Sequence, residues 1–122
     1  MSSSSSERKK VTILDLQAMK ETGRKITMLS IPDHPMAILA DRAGLDTILV
    51  GDSLAMTVLG YDTTVPVTIE EMLHHTKAVT RATKYAFVIG DMPFMSNNTS
   101  ERDAIMNAGR FMKEGATDAV KV

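Results

Sequence analysis

Short apolar runs alternate with helix-like patterns along most of this sequence, and that alternation constrains the fold more than any other feature. Four runs have the composition of strands, and they cover residues 26–31, 47–50, 85–89 and 118–122. None alternates strictly between apolar and polar residues, so we expect both faces of each strand to be covered. Strands that alternate with helices form a parallel sheet through right-handed crossovers. The pattern predicts an α/β fold, either a doubly wound sheet or a barrel of strand-helix units.

A dinucleotide-binding version of the doubly wound sheet is disfavoured by the residues after the first strand. Residues 30–33 read Ser-Ile-Pro-Asp, so the glycine-rich fingerprint is absent there. The sequence also lacks a phosphate-binding loop with its lysine. The doubly wound alternative therefore loses its main functional support.

Capping residues mark the helices between the predicted strands. Thr12 and Asp33 are expected to begin the first two helices. Thr68 and Glu71 form a capping-box pattern before a third helix, and Ser100 is expected to begin a fourth. Residues 54–67 are predicted to be a long loop. The expected buried faces of the third and fourth helices are Ile69, Met72, Leu73, Thr76 and Val79, and Ile105, Ala108 and Met112.

Composition excludes several functional classes. The 122 residues include 14 lysines and arginines and 15 acidic residues, so no electrostatic footprint for nucleic acid or an anionic membrane surface is expected. Cysteine is absent, which excludes disulfides and thiolate chemistry. No apolar run approaches the roughly 18 residues of a membrane span, and a cytoplasmic domain is expected. Residues 1–10 are predicted to be a disordered serine-rich tail before a domain at 11–122.

Two predicted strands end in the same Gly-Asp pair. Gly51-Asp52 follows the second strand, and Gly90-Asp91 follows the third. The carboxyl ends of parallel strands meet at one edge of the sheet, where ligands bind in such folds. Two carboxylates at that edge would suit a hard divalent cation such as magnesium. The alternative for each aspartate is a capping role in a loop or helix, and both interpretations remain open at this point.

Lys121 is a third candidate for that edge. It stands in the otherwise apolar fourth run, where a lysine is unusual unless its charge is paired or used. With the strands in register it should lie beside Asp52 and Asp91, and the alternative is an exposed terminal residue. His74 and His75 are adjacent on a helix and are expected to be packing or surface residues rather than joint metal ligands. The ten methionines are expected mainly to fill the core.

Several short motifs occur in a fixed order along the chain. They are GRKITML at 23–29, ILVGDSL at 48–54, GYDTTVPVT at 60–68, HHT at 74–76, GDMPFM at 90–95, KEG at 113–115 and DAVK at 118–121. In this order and spacing they resemble the ketopantoate hydroxymethyltransferase family over about residues 11–122. An ordered set of this kind is far more specific than any one short pattern.

The resemblance implies a (β/α)8 TIM barrel and a magnesium-dependent one-carbon transfer. The family moves a hydroxymethyl group from 5,10-methylenetetrahydrofolate to 3-methyl-2-oxobutanoate, which gives 2-dehydropantoate for pantothenate and coenzyme A biosynthesis. By motif match, Asp52 and Asp91 are expected to bind magnesium. Asp52, Ser53, Asp91 and Lys121 are expected to contact the oxo acid. The partners implied are this oxo acid and a folate, and the full-length enzymes are expected to be homo-oligomers.

Two departures from the family pattern shape the expectations. The first strand of the family usually ends in Thr-Ala-Tyr-Asp, where this sequence has Ser30-Ile31-Pro32-Asp33. The family continues after the lysine that matches Lys121 with a glutamate of the metal site, and its general base lies further on. A barrel needs roughly 250 residues. We therefore expect residues 11–122 to be an N-terminal half-barrel of the first four strands, without a catalytic base and inactive alone.

Two alternatives remain open. The chain could be a catalytically inert half-barrel that self-associates, or that binds Mg²⁺ and an oxo acid, because its first and fourth strands would be open edges. It could also be a different enzyme built from strand-helix units that acts on a phosphoenol or oxo acid and uses magnesium in the same way. The motif at residues 62–68 disfavours this last interpretation.

Overall fold

The computed structural model describes residues 8–122 as a four-stranded parallel sheet with helices. In chain order the elements are α1 (Ile13–Glu21), β1 (Met28–Ser30), α2 (His34–Arg42), β2 (Thr47–Val50), α3 (Leu54–Thr57), α4 (Ile69–Ala82), β3 (Phe87–Asp91), α5 (Glu101–Lys113) and β4 (Ala119–Lys121). The strands lie in the order β1-β2-β3-β4, so each new strand is added on the same side of the last. A doubly wound sheet reverses that order at a switch point, whereas a barrel does not. The predicted α/β half-barrel with an N-terminal helix is confirmed.

Side-chain caps begin the four longer helices where the sequence predicts them. Thr12 and Thr68 form capping boxes with the third residue of α1 and of α4. The Asp33 carboxylate accepts a hydrogen bond from the backbone N–H of Met36 at 3.0 Å, and the Ser100 hydroxyl caps α5 in the same way. These bonds satisfy backbone donors that have no partner inside the helix. Within residues 8–122, no helix has the length and apolar character that crossing a bilayer would require.

Two predicted features of the helices are wrong. The predicted loop at 54–67 begins with α3, because the Ser53 carbonyl accepts from the two N–H groups that close a helical turn and Leu54 is buried beneath it. The predicted buried face of α5 is displaced, since Ile105 and Met112 are exposed. Phe111 is the side chain of α5 that is fully buried, and it determines which face of the helix meets the sheet.

β1 is shorter and more exposed than its continuous apolar run predicts. Met28 and Leu29 are exposed, as is every residue of this strand. β1 pairs with β2 alone among the described strands and therefore lies at an edge of the sheet. The apolar run correctly predicts a strand, but burial on both faces needs neighbours that residues 8–122 do not supply.

The segment before α1 lies against the amino edge of the sheet. Residues 1–7 of the predicted tail lie outside the described residues. The Lys10 ammonium donates to the Ala86 carbonyl and pairs with the Asp118 carboxylate, both at 2.6 Å. The Val11 N–H donates to the Tyr85 carbonyl at 2.7 Å, and the Arg8 guanidinium lies 4.6 Å from the centre of the Tyr85 ring. Residues 8–11 thus contact the start of β3 and of β4.

The core lies between the sheet and the layer formed by α2, α4 and α5. Ile48, Val50 and Val88 meet Met72 and Phe111 there, and all five side chains are buried. α2 packs against α4, and α4 against α5, in the order in which their strands lie in the sheet. Each strand-helix unit therefore buries its apolar face against its sequence neighbours.

Gly90 permits a close approach of the Phe111 side chain to the backbone of β3. A Cβ atom on Gly90 would lie 2.6 Å from Cδ1 of Phe111 and 3.1 Å from Cγ2 of Thr117. The glycine of the second Gly-Asp pair is thus required by packing, because the Phe111 ring lies directly on the backbone of β3. This contact positions α5 and the end of β3 together.

We expect Gly90→Ala to destabilise the chain by about 1–3 kcal/mol, since the added methyl overpacks the Phe111 contact. Gly109→Ala is the matched control, because Gly109 is exposed within α5 and a Cβ there meets nothing within 4 Å. That control should instead stabilise by about 0.5–1 kcal/mol through helix propensity. Urea unfolding followed by circular dichroism measures both, and equal stability of Gly90→Ala and the wild-type chain would contradict the packing argument.

Candidate functional site

The parallel register brings the ends of β2, β3 and β4 together. Val50 is paired with Gly90, and Asp91 with Lys121. Asp52 follows Val50 by two residues, and its backbone N–H donates to Oδ2 of Asp91 at 3.0 Å. Three of the four site residues predicted from the sequence therefore lie at one edge of the sheet.

Asp91 is the buried centre of this group, and its exposed fraction is 6%. Its second oxygen, Oδ1, lies 3.4 Å from Nζ of Lys121. The Lys121 side chain is 60% exposed, and its charge is nevertheless paired with Asp91. β4 is also an edge strand among the described residues, which leaves the outer side of Lys121 uncovered. An ion pair with one exposed partner adds little stability and leaves the ammonium available to a ligand.

Asp52 and Asp91 interact as two carboxylates in one site. Burial, followed by the negative charge of Asp91, raises the pKa of Asp52 above its ordinary value. The positive charge of Lys121 and the hydroxyl of Thr64 lower the pKa of Asp52 and oppose this effect. A divalent cation between the two carboxylates would relieve their repulsion.

Ser53, the fourth predicted site residue, is exposed at the start of α3. In the described part of the chain its hydroxyl does not cap the helix, while its carbonyl accepts from the N–H groups of Met56 and Thr57. A Cβ on Gly51 would lie 3.5 Å from the hydroxyls of both Ser53 and Ser30. A small pocket of about 40 Å³ lies between these two serines. Ser30, which departs from the family pattern, therefore borders the site.

The loop after α3 contributes two residues that the sequence reasoning missed. The Tyr61 hydroxyl donates to Oε2 of Glu71 at 3.2 Å, and the Tyr61 N–H donates to the Ala55 carbonyl at 2.8 Å. These bonds anchor the loop that brings the Thr64 hydroxyl to Asp52. The capping box predicted Glu71, but no periodic pattern identifies Tyr61 or Thr64, because an irregular loop has none.

Two of the three histidines have structural partners away from the carboxylate pair. Nδ1 of His75 lies 2.7 Å from the Pro32 carbonyl, and Nδ1 of His34 lies 2.8 Å from the Ala78 carbonyl. Residues 8–122 contain no group of three or more histidines and carboxylates arranged to hold a metal. Two carboxylates form the donor set, and Mg²⁺ is commonly held by one or two carboxylates while it keeps several waters. In number and in chemistry, Asp52 and Asp91 are therefore suitable ligands for magnesium.

Comparisons with known proteins agree on one family. Residues 10–122 match the family model described as ketopantoate hydroxymethyltransferase. A 3-methyl-2-oxobutanoate hydroxymethyltransferase of Moorella thermoacetica is 60% identical over 116 residues, which is 95% of this chain and 43% of that protein. One of the same name from Carboxydothermus hydrogenoformans is 58% identical over 93% of this chain and 41% of that protein. The chain thus spans about two fifths of the length of these curated relatives.

A solved structure supports the fold alone. The phosphoenolpyruvate phosphomutase of Streptomyces platensis subsp. rosaceus superposes with a TM-score of 0.71. The match covers 89% of this chain and 37% of that one, at 18% sequence identity. The likeness therefore extends to the β/α barrel architecture of the described strands and helices.

We expect Asp52→Asn to make the chain more stable near neutral pH. The folded-state pKa of Asp52 is raised, so the protonated carboxyl group favours the folded state. This contribution to stability is complete below the ordinary pKa of 3.8 and is lost as the pH rises through the folded-state pKa. The amide variant should remove this pH dependence. Urea unfolding between about pH 3 and pH 7 measures it, with Glu21→Gln on α1 as the exposed-carboxylate control. An Asp52→Asn variant less stable than the wild-type chain at neutral pH would contradict the expectation.

Proposed function

Because this chain belongs to the ketopantoate hydroxymethyltransferase family, we propose that it supplies the metal and oxo-acid site of a 3-methyl-2-oxobutanoate hydroxymethyltransferase. The observation that carries the proposal is the position of Asp91, which is buried and bonded to both Asp52 and Lys121 at the carboxyl edge of the sheet. Catalytic groups gather at this edge in β/α barrels. A capping role accounts for the bond from the Asp52 N–H to Asp91, but not for the Asp52 carboxyl group that interacts with the same side chain.

The proposed reaction transfers a hydroxymethyl group from 5,10-methylenetetrahydrofolate to 3-methyl-2-oxobutanoate and gives 2-dehydropantoate. It belongs to pantothenate and coenzyme A biosynthesis, and we infer that it takes place in the cytoplasm in a homo-oligomeric enzyme. The names of the relatives support the oxo acid and the group transferred. The folate donor follows from the family resemblance.

Asp52 and Asp91 are the residues that would hold Mg²⁺. When bound, the ion would act as a Lewis acid towards the oxygens of the oxo acid and stabilise the negative charge that develops as the C3 proton leaves. The two carboxylates are suited to this role because the negative charge of Asp91 disfavours the ionised form of Asp52, and a cation between them would relieve that repulsion. The N–H of Asp52 orients Asp91 for it.

Lys121 and Ser53 would bind the oxo acid beside the ion. The Lys121 ammonium is exposed on one side and 3.4 Å from Asp91 on the other, so it can donate to a substrate carboxylate without leaving its partner. The exposed Ser53 hydroxyl offers a further donor at the end of β2. The positive charge of Lys121 would also lower the energy of the developing anion.

We expect the 122-residue chain to bind Mg²⁺ and then 3-methyl-2-oxobutanoate, as measured by isothermal titration calorimetry. Asp91→Asn should weaken Mg²⁺ binding by about tenfold or more, because the buried member of the pair loses its charge. Lys121→Met should keep Mg²⁺ binding and weaken binding of the oxo acid. Glu21→Gln on α1 is the matched control and should behave as the wild-type chain does.

An unchanged Mg²⁺ affinity in Asp91→Asn would contradict the assignment of the metal site. An assay for 2-dehydropantoate with Mg²⁺ and methylenetetrahydrofolate tests the remaining part of the proposal. We assign binding to this chain and proton abstraction to a group elsewhere in the enzyme, so we expect binding without appreciable turnover. Robust turnover by the purified chain would show that this division is wrong.

A second candidate function is self-association, and it is favoured by the exposed apolar residues of β1. Met28 and Leu29 are both exposed on a strand whose outer edge is unpaired within residues 8–122. Open sheet edges with apolar side chains pair readily with another chain.

Light scattering should then report twice the mass of one chain for the wild type. It should report the mass of one chain for Leu29→Lys. Leu14→Lys on α1 is the control, and a monomeric wild-type chain would exclude this candidate.

A further inference from the structure

The turn that follows β3 contains a methionine in a conformation that favours glycine. The Ser96 N–H donates to the Pro93 carbonyl at 3.0 Å, which closes a four-residue turn over residues 93–96. Met95 occupies the third position with φ of 69°. Turns with a positive φ at that position are usually built with glycine or asparagine, because a Cβ atom crowds the backbone there.

Side-chain hydrogen bonds hold this turn in place. The Ser96 hydroxyl donates to the Pro93 carbonyl at 2.6 Å, and the Asn107 amide of α5 donates to the Ser96 carbonyl at 2.7 Å. The Met95 N–H donates to the Asn98 side chain at 3.2 Å. An unfavourable φ angle that surrounding bonds impose in this way is typical of functional positions.

The turn presents two exposed apolar side chains shortly after Asp91 in the chain. Phe94 and Met95 are 56% and 52% exposed, although Met92 and Ser96 on either side of them are buried. Phe94 follows Asp91 by three residues, so the tip of the turn continues from the same edge of the sheet that carries the site. An exposed aromatic ring next to a polarisable thioether is well suited to contact a flat ring.

We propose that Phe94 and Met95 form a platform for the pterin ring of the folate one-carbon donor, next to the oxo-acid site. This inference rests on the proposed function, which supplies the identity of the donor. A glycine at position 95 would make the same turn without the crowded Cβ, so the turn by itself does not account for the methionine. The oxo acid offers only an isopropyl group, whereas the ring of the donor has the flat area that such a pair can cover.

Ala116 provides a matched control for the backbone conformation. Met95 and Ala116 are the two non-glycine residues with positive φ between residues 8 and 122, and Ala116 has φ of 57°. Ala116 is exposed and precedes β4, so it lies at the amino edge of the sheet, opposite the site. Replacing either residue with glycine relieves the same kind of conformational cost, but only position 95 belongs to the platform.

The test measures thermal stability and tetrahydrofolate binding of the 122-residue chain by calorimetry. We expect Met95→Gly and Ala116→Gly to be at least as stable as the wild-type chain, since both favour a positive φ. Met95→Gly and Met95→Ala should weaken tetrahydrofolate binding about threefold to tenfold, the range of one lost ring contact. Ala116→Gly should leave the binding unchanged. Phe94→Ala should weaken it at least as much as Met95→Gly.

Two further measurements separate this inference from the proposed function. Binding of p-aminobenzoylglutamate, the part of the donor without the pterin ring, should be the same in the wild-type chain and in Met95→Gly. Binding of Mg²⁺ and the oxo acid should also be unchanged in that variant. Two results would contradict the platform and leave the proposed metal and oxo-acid site standing. One is unchanged tetrahydrofolate affinity in both Met95 variants. The other is a wild-type chain that binds Mg²⁺ and the oxo acid but not tetrahydrofolate.

Discussion

The parallel register of β2, β3 and β4 is the constraint on which the rest of the structure depends. It pairs Val50 with Gly90 and Asp91 with Lys121, and the bond from the Asp52 N–H to Asp91 follows from that pairing. A shift of one residue would turn each strand's side chains to the opposite face, burying Lys121 and separating the carboxylates. The buried contact of Phe111 with the backbone of Gly90 then fixes α5 against β3.

The two edges of the sheet use aspartate in opposite ways. At the amino edge, Asp41, Asp46 and Asp118 each accept hydrogen bonds from backbone N–H groups of a neighbouring segment, so their charges are satisfied within the fold. At the carboxyl edge, Asp52 and Asp91 face each other, and the pKa of Asp52 is raised by burial and by its neighbour. The first arrangement stabilises the fold, whereas the second disfavours ionisation of Asp52 and is the one that we propose to hold a cation.

Much of the candidate site is predictable because its signals are local. The repeated Gly-Asp pairs and the lysine in an apolar run identify Asp52, Asp91 and Lys121, since strand order places all three at one edge. Thr64 and Phe94 are not predictable in this way. They lie in irregular segments whose paths depend on distant partners, such as Glu71 for the loop that carries Thr64 and Asn107 for the turn beside Phe94. The methionines show the same limit, because Met95 is exposed where composition alone suggests core.

The sequence by itself determined the order of the strands and the four longer helices, the side-chain caps that begin those helices and the placement of a Gly-Asp pair after each of two strands. These features depend on residues near one another in the chain, whose preferences act without tertiary contacts. Only the tertiary structure decided that β1 is exposed, that α5 buries Phe111 rather than Met112, and that Met95 stands in a left-handed turn. The physical reason is that burial, helix rotation and backbone strain are set by what packs against an element, which its own residues do not specify.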